Sequence, residues 1–199
     1  MPARLPFYVR PDDPPAKREI LRAALKLFSQ GGLAGTSIRD IAHESGYTNP
    51  ALYKHFPGKE ELALHLFETC HRKLWSQCFA AMAAAEDFDG KLDAYVTQWL
   101  ALADEHPEVL AFLSDSARAL WPKAGATVRK RSMISLAYTL VAEAPRTRGR
   151  SPAPNHDLKA AALQGTLSEV IRMIQVGVVK GPAMHQKASL VALFRKVLA

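Results

Sequence analysis

The segment from Arg18 to Phe67 constrains the fold more than any other part of this 199-residue chain. Its first helix is predicted from apolar residues at the spacing of one helix face: Ile20, Ala23, Ala24, Leu27 and Phe28. Ser37, with Asp40 three positions on, is typical of the start of a second helix. Gly46 allows a tight turn, and Thr48 is the predicted cap of a very short third helix. The pattern predicts a helix-turn-helix.

The third helix displays small, polar and aromatic side chains, which suits insertion into the major groove of DNA. Asn49 can pair with adenine through two hydrogen bonds, and Pro50 and Ala51 can contact a thymine methyl group. Arg39 on the preceding helix is long enough to reach a guanine or a phosphate. The candidate DNA-binding residues are Ser37, Arg39, Thr48, Asn49, Pro50, Ala51, Tyr53, Lys54, His55 and Lys59. The last four suit contacts to phosphates. The spacing alone also fits an ordinary three-helix bundle with a polar surface.

Composition narrows the class of protein. The formal net charge of +7 favours a polyanionic partner, although many basic proteins bind no nucleic acid. Cys70 and Cys78 lie on one predicted helix, about 12 Å apart along its axis, which is too far for a disulfide between them. A reducing, cytoplasmic location is therefore expected. No apolar run is long enough for a signal peptide or a membrane span, so no membrane partner is expected.

Catalytic and metal-binding patterns are missing from the sequence. The seven histidines have no ligand spacing, and no nucleophile–base motif or glycine-rich phosphate loop occurs. We therefore expect no enzymatic activity, no cofactor and no metal site.

The whole chain is predicted to be all-α, with about nine helices and no strand. A proline-rich, mobile N-terminal tail is expected at residues 1–13, with Asp13 capping the first helix. A helix-turn-helix domain is predicted at 14–58 and a second helical domain at 59–199, which starts with a long helix from Lys59 to about Ala85. Further helices are expected at about 90–103, 107–120, 124–143, 156–179 and 184–198, with a mobile loop at about 145–155.

A family resemblance is carried by Ala23-Ala24, Leu27-Phe28, Gly31, Thr36 to Ala42, Gly46, Leu52-Tyr53, His55-Phe56 and Lys59 to Leu62. Over these positions the chain resembles the DNA-binding domain of the tetracycline-repressor (TetR) family. The resemblance implies phosphate contacts for Tyr53, His55 and Lys59, and base-facing positions for Arg39, Asn49, Pro50 and Ala51. Two positions depart from the family pattern: Gly58 stands where serine or asparagine often caps the fourth helix, and Lys54 replaces a common aromatic residue.

The resemblance further implies a C-terminal domain that binds a small-molecule effector and dimerises through its last two long helices. Candidate pocket residues are Trp75, Phe79, Tyr95, Gln98, Trp99, Phe112, Ser116, Met133, Leu167 and Ile171; the same positions also suit a hydrophobic core or the surface. Candidate dimer-interface residues are Leu163, Leu167, Val170, Ile174, Leu190 and Phe194, since they form apolar stripes that equally fit a core.

The function predicted from these features is a dimeric transcriptional regulator, a repressor that an effector of unknown identity releases from a double-stranded DNA operator. Two alternatives stay open. One is a constitutive dimeric DNA-binding protein without an effector, and the other is a helical protein–protein adaptor that kept the fold and lost DNA binding.

Overall fold

The computed structural model describes residues 6–145 and 155–199, and within these ranges the chain is helical, without a β-strand. Ten α-helices occur there: α1 Pro15–Gly31, α2 Ile38–Ser45, α3 Asn49–Tyr53, α4 Lys59–Ala83, α5 Phe88–Glu105, α6 Pro107–Leu120, α7 Ala126–Lys130, α8 Met133–Glu143, α9 His156–Gln175 and α10 Lys187–Leu198. Short 3-10 segments at Trp121–Lys123 and Ala183–Gln186 precede α7 and α10. The predicted all-α fold is confirmed.

The ends of α1 and α2 follow from local chemistry. Gly32, with a φ of 68°, ends α1, and Gly46, in the left-handed conformation with a φ of 75°, ends α2. At the start of α2, the Ser37 hydroxyl accepts a hydrogen bond from the Asp40 amide, while the Asp40 carboxylate accepts one from the Ser37 amide. This reciprocal capping box was predicted from the two residues and is present.

Two predicted caps are wrong. Asp13 does not cap α1, because its carboxylate accepts the backbone N–H of Arg10 at 2.8 Å and pairs with Lys17 at 2.7 Å. Thr48 makes no side-chain cap on α3. Instead its carbonyl oxygen accepts the amides of Ala51 and Leu52, the ordinary backbone start of a helix.

The chain forms two compact units. The first comprises the described residues up to Lys73 together with Glu108–Arg129, and the second comprises Leu74–Pro107 and Lys130–Ala199 without its undescribed stretch. Helix α4 therefore contributes its first part to one unit and its last part to the other. The predicted division of function at residue 58 stays a prediction, but the N-terminal unit contains α6 and α7 in addition to the helix-turn-helix.

The core of the first unit is aromatic where α1, α4 and α6 meet. The rings of Phe28 and Phe112 stack with centroids 5.7 Å apart, and Phe67 meets Phe112 edge-on at 6.4 Å. All three side chains are buried. Aromatic pairs of this geometry contribute beyond the area that they bury, so α6 is firmly packed within the first unit.

Residues 7–9 and Asp13 are buried, in contrast to the mobile tail predicted for 1–13. Phe7, Tyr8 and Val9 are buried, and the Lys73 ammonium lies 5.0 Å from the centre of the Phe7 ring. The sequence interpretation weighed the prolines and overlooked this apolar triplet, whose burial favours an ordered segment. Residues 1–5 of the predicted tail, and 146–154 of the loop predicted at about 145–155, lie outside the described residues.

The helix predicted at 124–143 is interrupted where the chain passes into the second unit. Helix α7 ends at Lys130, and α8 begins after Ser132, whose hydroxyl accepts the Ser135 amide while the Ser135 hydroxyl accepts the Ser132 amide. This second capping box starts a new helix where periodicity alone predicts continuation. Ion pairs join α5 to other helices of this unit: Lys91–Glu143, Lys187–Asp93 and Arg195–Asp89.

Candidate functional site

Helix α3 presents most of the predicted DNA-binding residues at the protein surface. Pro50 and Lys54 are exposed, Asn49 is half-buried, and Tyr53 exposes 54% of its side chain. Behind them, Leu52 is buried and anchors the helix. The five-residue helix thus turns a small, polar and aromatic face outward, as a recognition helix requires. Thr48 and Arg39 are also exposed, and Ala51 and His55 are half-buried.

Cations on this part of the surface differ in whether they are paired. Lys26 and Arg22 both approach the Glu44 carboxylate, at 2.9 and 3.6 Å. Arg39 and Lys54, by contrast, make no ion pair and no side-chain hydrogen bond with any residue in 6–145 or 155–199. Their charges are therefore available for an anion such as a DNA phosphate.

Lys59 is held in place by the backbone of the loop between α1 and α2. Its ammonium donates hydrogen bonds to the carbonyl oxygens of Leu33 at 2.6 Å and Thr36 at 2.7 Å. A lysine ammonium has three N–H donors, so one remains for a phosphate. Lys59 is thus a structural residue of the first unit as well as a candidate DNA contact, a role that the sequence did not reveal.

Ser37, like Lys59, has a structural role in addition to its predicted contact with DNA. Its hydroxyl serves the capping box of α2 and also donates to the Asp40 carboxylate at 2.7 Å. These hydrogen bonds lower the pKa of Asp40 below its usual value. Ser37 remains exposed and keeps a free acceptor capacity, so its assignment as a DNA contact stays a prediction.

The family model of bacterial regulatory proteins of the tetR family matches residues 20–66, which contain α2, α3 and the start of α4. The helix-turn-helix segment belongs to the TetR family. The repressor KstR2 of Rhodococcus jostii, an HTH-type transcriptional repressor, is 29% identical over 104 residues, 52% of this chain and 51% of the relative. The chain thus spans, in the sequence match, about half of the length of that curated relative.

Solved structures extend the likeness of fold over most of the chain. The ketosteroid transcriptional regulator KstR2 of Mycobacterium tuberculosis aligns with a TM-score of 0.78 and 19% identity, covering 97% of both chains. The transcriptional regulator FadR from Bacillus subtilis, in complex with stearoyl-CoA, aligns with a TM-score of 0.69 and 15% identity, covering 90% of this chain and 97% of that one. At these identities the likeness concerns the fold.

Eight of the ten predicted pocket residues lie in the second unit. Tyr95, Met133, Leu167 and Ile171 are buried, and the Tyr95 hydroxyl donates to the Met133 carbonyl oxygen at 3.3 Å. Burial raises the pKa of Tyr95, which keeps the phenol neutral. Gln98 and Trp99 are half-buried. These six residues are placed as core or near-core side chains, and their role in a pocket stays a prediction.

Trp75 and Phe79 form a surface stack. Their rings are 4.9 Å apart and nearly parallel, Phe79 exposes 50% of its side chain, and the Arg131 guanidinium lies 5.4 Å from the Trp75 ring centre. The other two predicted pocket residues, Phe112 and Ser116, are buried in the first unit. Phe112 belongs to the aromatic core described above. The sequence grouped these residues by their chemistry, whereas the fold assigns them to two units.

Most of the residues predicted for the dimer interface are buried within the chain. Leu163, Leu167 and Phe194 have no exposed surface, and Leu190 exposes only 5%. Because these side chains are buried within a single chain, they pack as core, and their role in a dimer stays a prediction. Val170 and Ile174 are half-buried and remain candidates.

Two histidines on α4 were missed as functional candidates. Burial lowers the pKa of both His65 and His71 to about 4, so both rings are neutral near pH 7. His65 packs edge-on against Phe56 at 5.3 Å, just beyond the end of α3. The spacing of the histidines in the sequence is not that of metal ligands, so nothing in the sequence marked His65 and His71. Only their burial distinguishes them from the other histidines.

The two cysteines are unreactive in this structure. Cys70 and Cys78 are free and buried, and burial raises the pKa of each thiol to about 12. No cluster of three or more metal-ligating side chains occurs in the described part of the chain. No described helix is both long and apolar enough to cross a membrane.

Proposed function

We propose that this chain is a dimeric transcriptional repressor that reads operator DNA through α3 and releases it on binding a small-molecule effector. The observation that carries the proposal is the outward face of α3 within the residues that the tetR family model matches. Asn49 is half-buried and Pro50 is exposed on this helix, and Arg39 and Lys54, which have no ion-pair partner among the described residues, lie at the surface nearby in sequence. The protein acts in the cytoplasm and has no enzymatic role.

Base readout is assigned to Asn49, Pro50, Ala51 and Arg39, and positioning on the phosphates to Ser37, Thr48, Tyr53, Lys54, His55 and Lys59. The amide of Asn49 can donate to and accept from adenine at once, which no backbone contact can do. Phosphate contacts set the register of the protein on the duplex without reading its sequence. Mutation of a base-reading residue is therefore expected to affect DNA binding differently from mutation of a phosphate-contacting residue.

A second copy of the chain would supply the second half-site. We assign the interface to the exposed sides of α9 and α10, because the apolar stripes predicted for this role are largely core. Leu158 on α9 exposes 65% of its side chain and Leu193 on α10 exposes 44%. Gly165, also on α9, has open space where a Cβ atom would stand, which permits close approach of another helix. Two-fold symmetry then gives two recognition helices one DNA turn apart.

Effector release is inferred from relatives. A solved relative of similar fold is FadR in complex with stearoyl-CoA, and another is named a ketosteroid regulator. Both names point to largely apolar effectors, and we expect the same class here. By thermodynamic linkage, operator DNA must weaken effector binding by the factor by which effector weakens operator binding.

The test is selection of an operator from a random DNA pool, followed by anisotropy titration over a salt series. We expect sequence-specific binding at two chains per site. Asn49→Ala is expected to weaken binding by about 1–3 kcal/mol and to relax preference at one base position. The matched control Gln30→Ala removes an exposed amide near the end of α1 and is expected to bind like the wild type. Selection of no preferred sequence, or an unchanged preference in Asn49→Ala, would contradict the assignment.

A further inference from the structure

His71 lies among aromatic rings inside the first unit. Its imidazole meets Phe67 edge-on at 4.4 Å and Trp121 at 5.5 Å, and those two rings are 6.5 Å apart. Phe67 is fully buried, while His71 and Trp121 are half-buried. The three side chains form one aromatic cluster on α4 and the 3-10 segment Trp121–Lys123.

The two ring nitrogens of His71 are buried and have no hydrogen-bond partner among the described residues. A neutral imidazole carries one donor and one acceptor. Burying both without partners has a desolvation cost that phenylalanine or leucine at this position would avoid. Packing alone therefore does not account for a histidine here, because it is the polar atoms that distinguish this side chain from its aromatic neighbours.

Charged side chains near this cluster are engaged with one another. Arg72 pairs with Glu68 at 3.2 Å, Glu68 also accepts the Gly125 amide at 2.8 Å, and Lys123 pairs with Glu60 at 2.6 Å. The depressed pKa of His71 arises from burial, with no charged partner contributing. A neutral ligand group suits such a ring better than a carboxylate or an ammonium.

We propose that His71, Phe67 and Trp121 form the subsite that holds the polar end of the effector, and that this end is an uncharged oxygen, a hydroxyl or carbonyl, on an apolar ring or chain. The imidazole hydrogen-bonds the oxygen, and the aromatic rings pack against the apolar skeleton. This inference rests on the proposed effector function and adds the ligand class and its anchor. None of these three residues was among the pocket residues predicted from the sequence.

Regulation follows from the position of the subsite in the unit that also contains α3. His71 is on the same helix as Lys59, which holds the loop before α2. Trp121 is carried by a three-residue 3-10 segment, so its displacement disturbs few backbone hydrogen bonds. That segment also contains Lys123, whose ion pair reaches Glu60 in the first turn of α4. A ligand that moves Trp121 therefore acts on the start of α4 through contacts within one unit.

The test compares neutral probes that differ only by an oxygen, namely benzyl alcohol against toluene, with benzoate as the charged analogue. Binding to the full-length protein is followed by the ¹⁵N chemical shifts of the histidine side chains. We expect benzyl alcohol to shift the His71 nitrogens and to bind about fivefold more tightly than toluene, as one hydrogen bond allows. Benzoate is expected to bind more weakly than benzyl alcohol.

Variants assign the preference to the imidazole. His71→Phe should bind the alcohol and toluene equally, and His71→Gln, which keeps a donor and an acceptor, should retain the preference. His65→Phe is the control on the same helix and should leave the preference unchanged. An alcohol preference that survives in His71→Phe, unshifted His71 nitrogens, or tighter binding of benzoate would overturn the subsite. Operator binding is also measured without probes. If only the subsite proposal fails, the protein still binds its operator; if the proposed function fails, operator binding is absent.

Discussion

Replacing Lys59 by methionine tests the double role of this residue. Methionine keeps most of the apolar stem and removes the ammonium that donates to the carbonyl oxygens of Leu33 at 2.6 Å and Thr36 at 2.7 Å. Hydrogen bonds that involve a charged group contribute about 1.5–3 kcal/mol each. Because Lys59 is only half-buried, water can partly replace them, and the lower limit applies to each. We expect the variant to lose about 3 kcal/mol of unfolding free energy.

The assay is urea unfolding followed by circular dichroism at 222 nm, which reports the helices directly. With a typical slope, a loss of this size lowers the urea midpoint by about 1–2 M. Lys54→Met is the matched control, since Lys54 is exposed and makes no ion pair with any residue that the structure describes. We expect it to unfold like the wild type, yet to weaken operator binding and lower the salt slope by about one phosphate contact.

The two variants together separate stability from DNA contact. Lys59→Met should lose both, and Lys54→Met should lose affinity alone. If Lys59→Met unfolds within about 0.5 kcal/mol of the wild type, the range ordinary for surface substitutions, then the two carbonyl contacts contribute nothing. Lys59 would in that case act on DNA only, as the sequence interpretation has it.

Three further predictions concern pH, the core and assembly. The pKa values of His65 and His71 are about 4 in the folded chain, against 6.5 for a free histidine. As the pH falls, the unfolded chain therefore binds protons before the folded chain does. The contribution of these two histidines to stability is complete above about pH 6.5 and is lost as the pH drops toward 4. His71, the more deeply buried of the two rings, accounts for about 2–3 kcal/mol of this loss, and acid titration of His71→Phe should show a correspondingly smaller loss. Phe112→Ala should cost about 3–5 kcal/mol in urea unfolding, whereas Phe79→Ala, half-exposed, should cost far less. Leu193→Glu places a charge on the exposed side of α10 and should convert the dimer to monomers in light scattering; a dimer that persists would exclude that surface.

Local chemistry explains why the two ends of α2 were predictable. Ser37 and Asp40 are three residues apart, and Gly46 needs only its own backbone freedom to end α2. Features whose partners lie within one helical turn can be read from the sequence without knowledge of the rest of the fold. Even so, the capping box of Ser132 with Ser135 was missed, because its second member is a serine instead of the acidic residue that usually marks the motif.

Side chains that act over long distances in sequence were not predictable in the same way. Periodicity identified the apolar face that contains Leu163 and Phe194, but it could not say whether that face meets its own chain or a second copy. The structure answers this by burying both. Phe112 was likewise recognised as apolar and aromatic, and only the fold places it against Phe28.

The sequence by itself determined the all-α class, the helix-turn-helix and its resemblance to the TetR family, because capping, glycine turns and helical periodicity are local and the family motif lies in one continuous stretch. The tertiary structure alone decided which carbonyl groups hold Lys59, which residues of the segment 6–13 are buried and which histidine rings are shielded from water. Each of these depends on contacts between residues far apart in the chain, and burial, which sets both the stability of a core side chain and the pKa of an imidazole, exists only once those residues have come together.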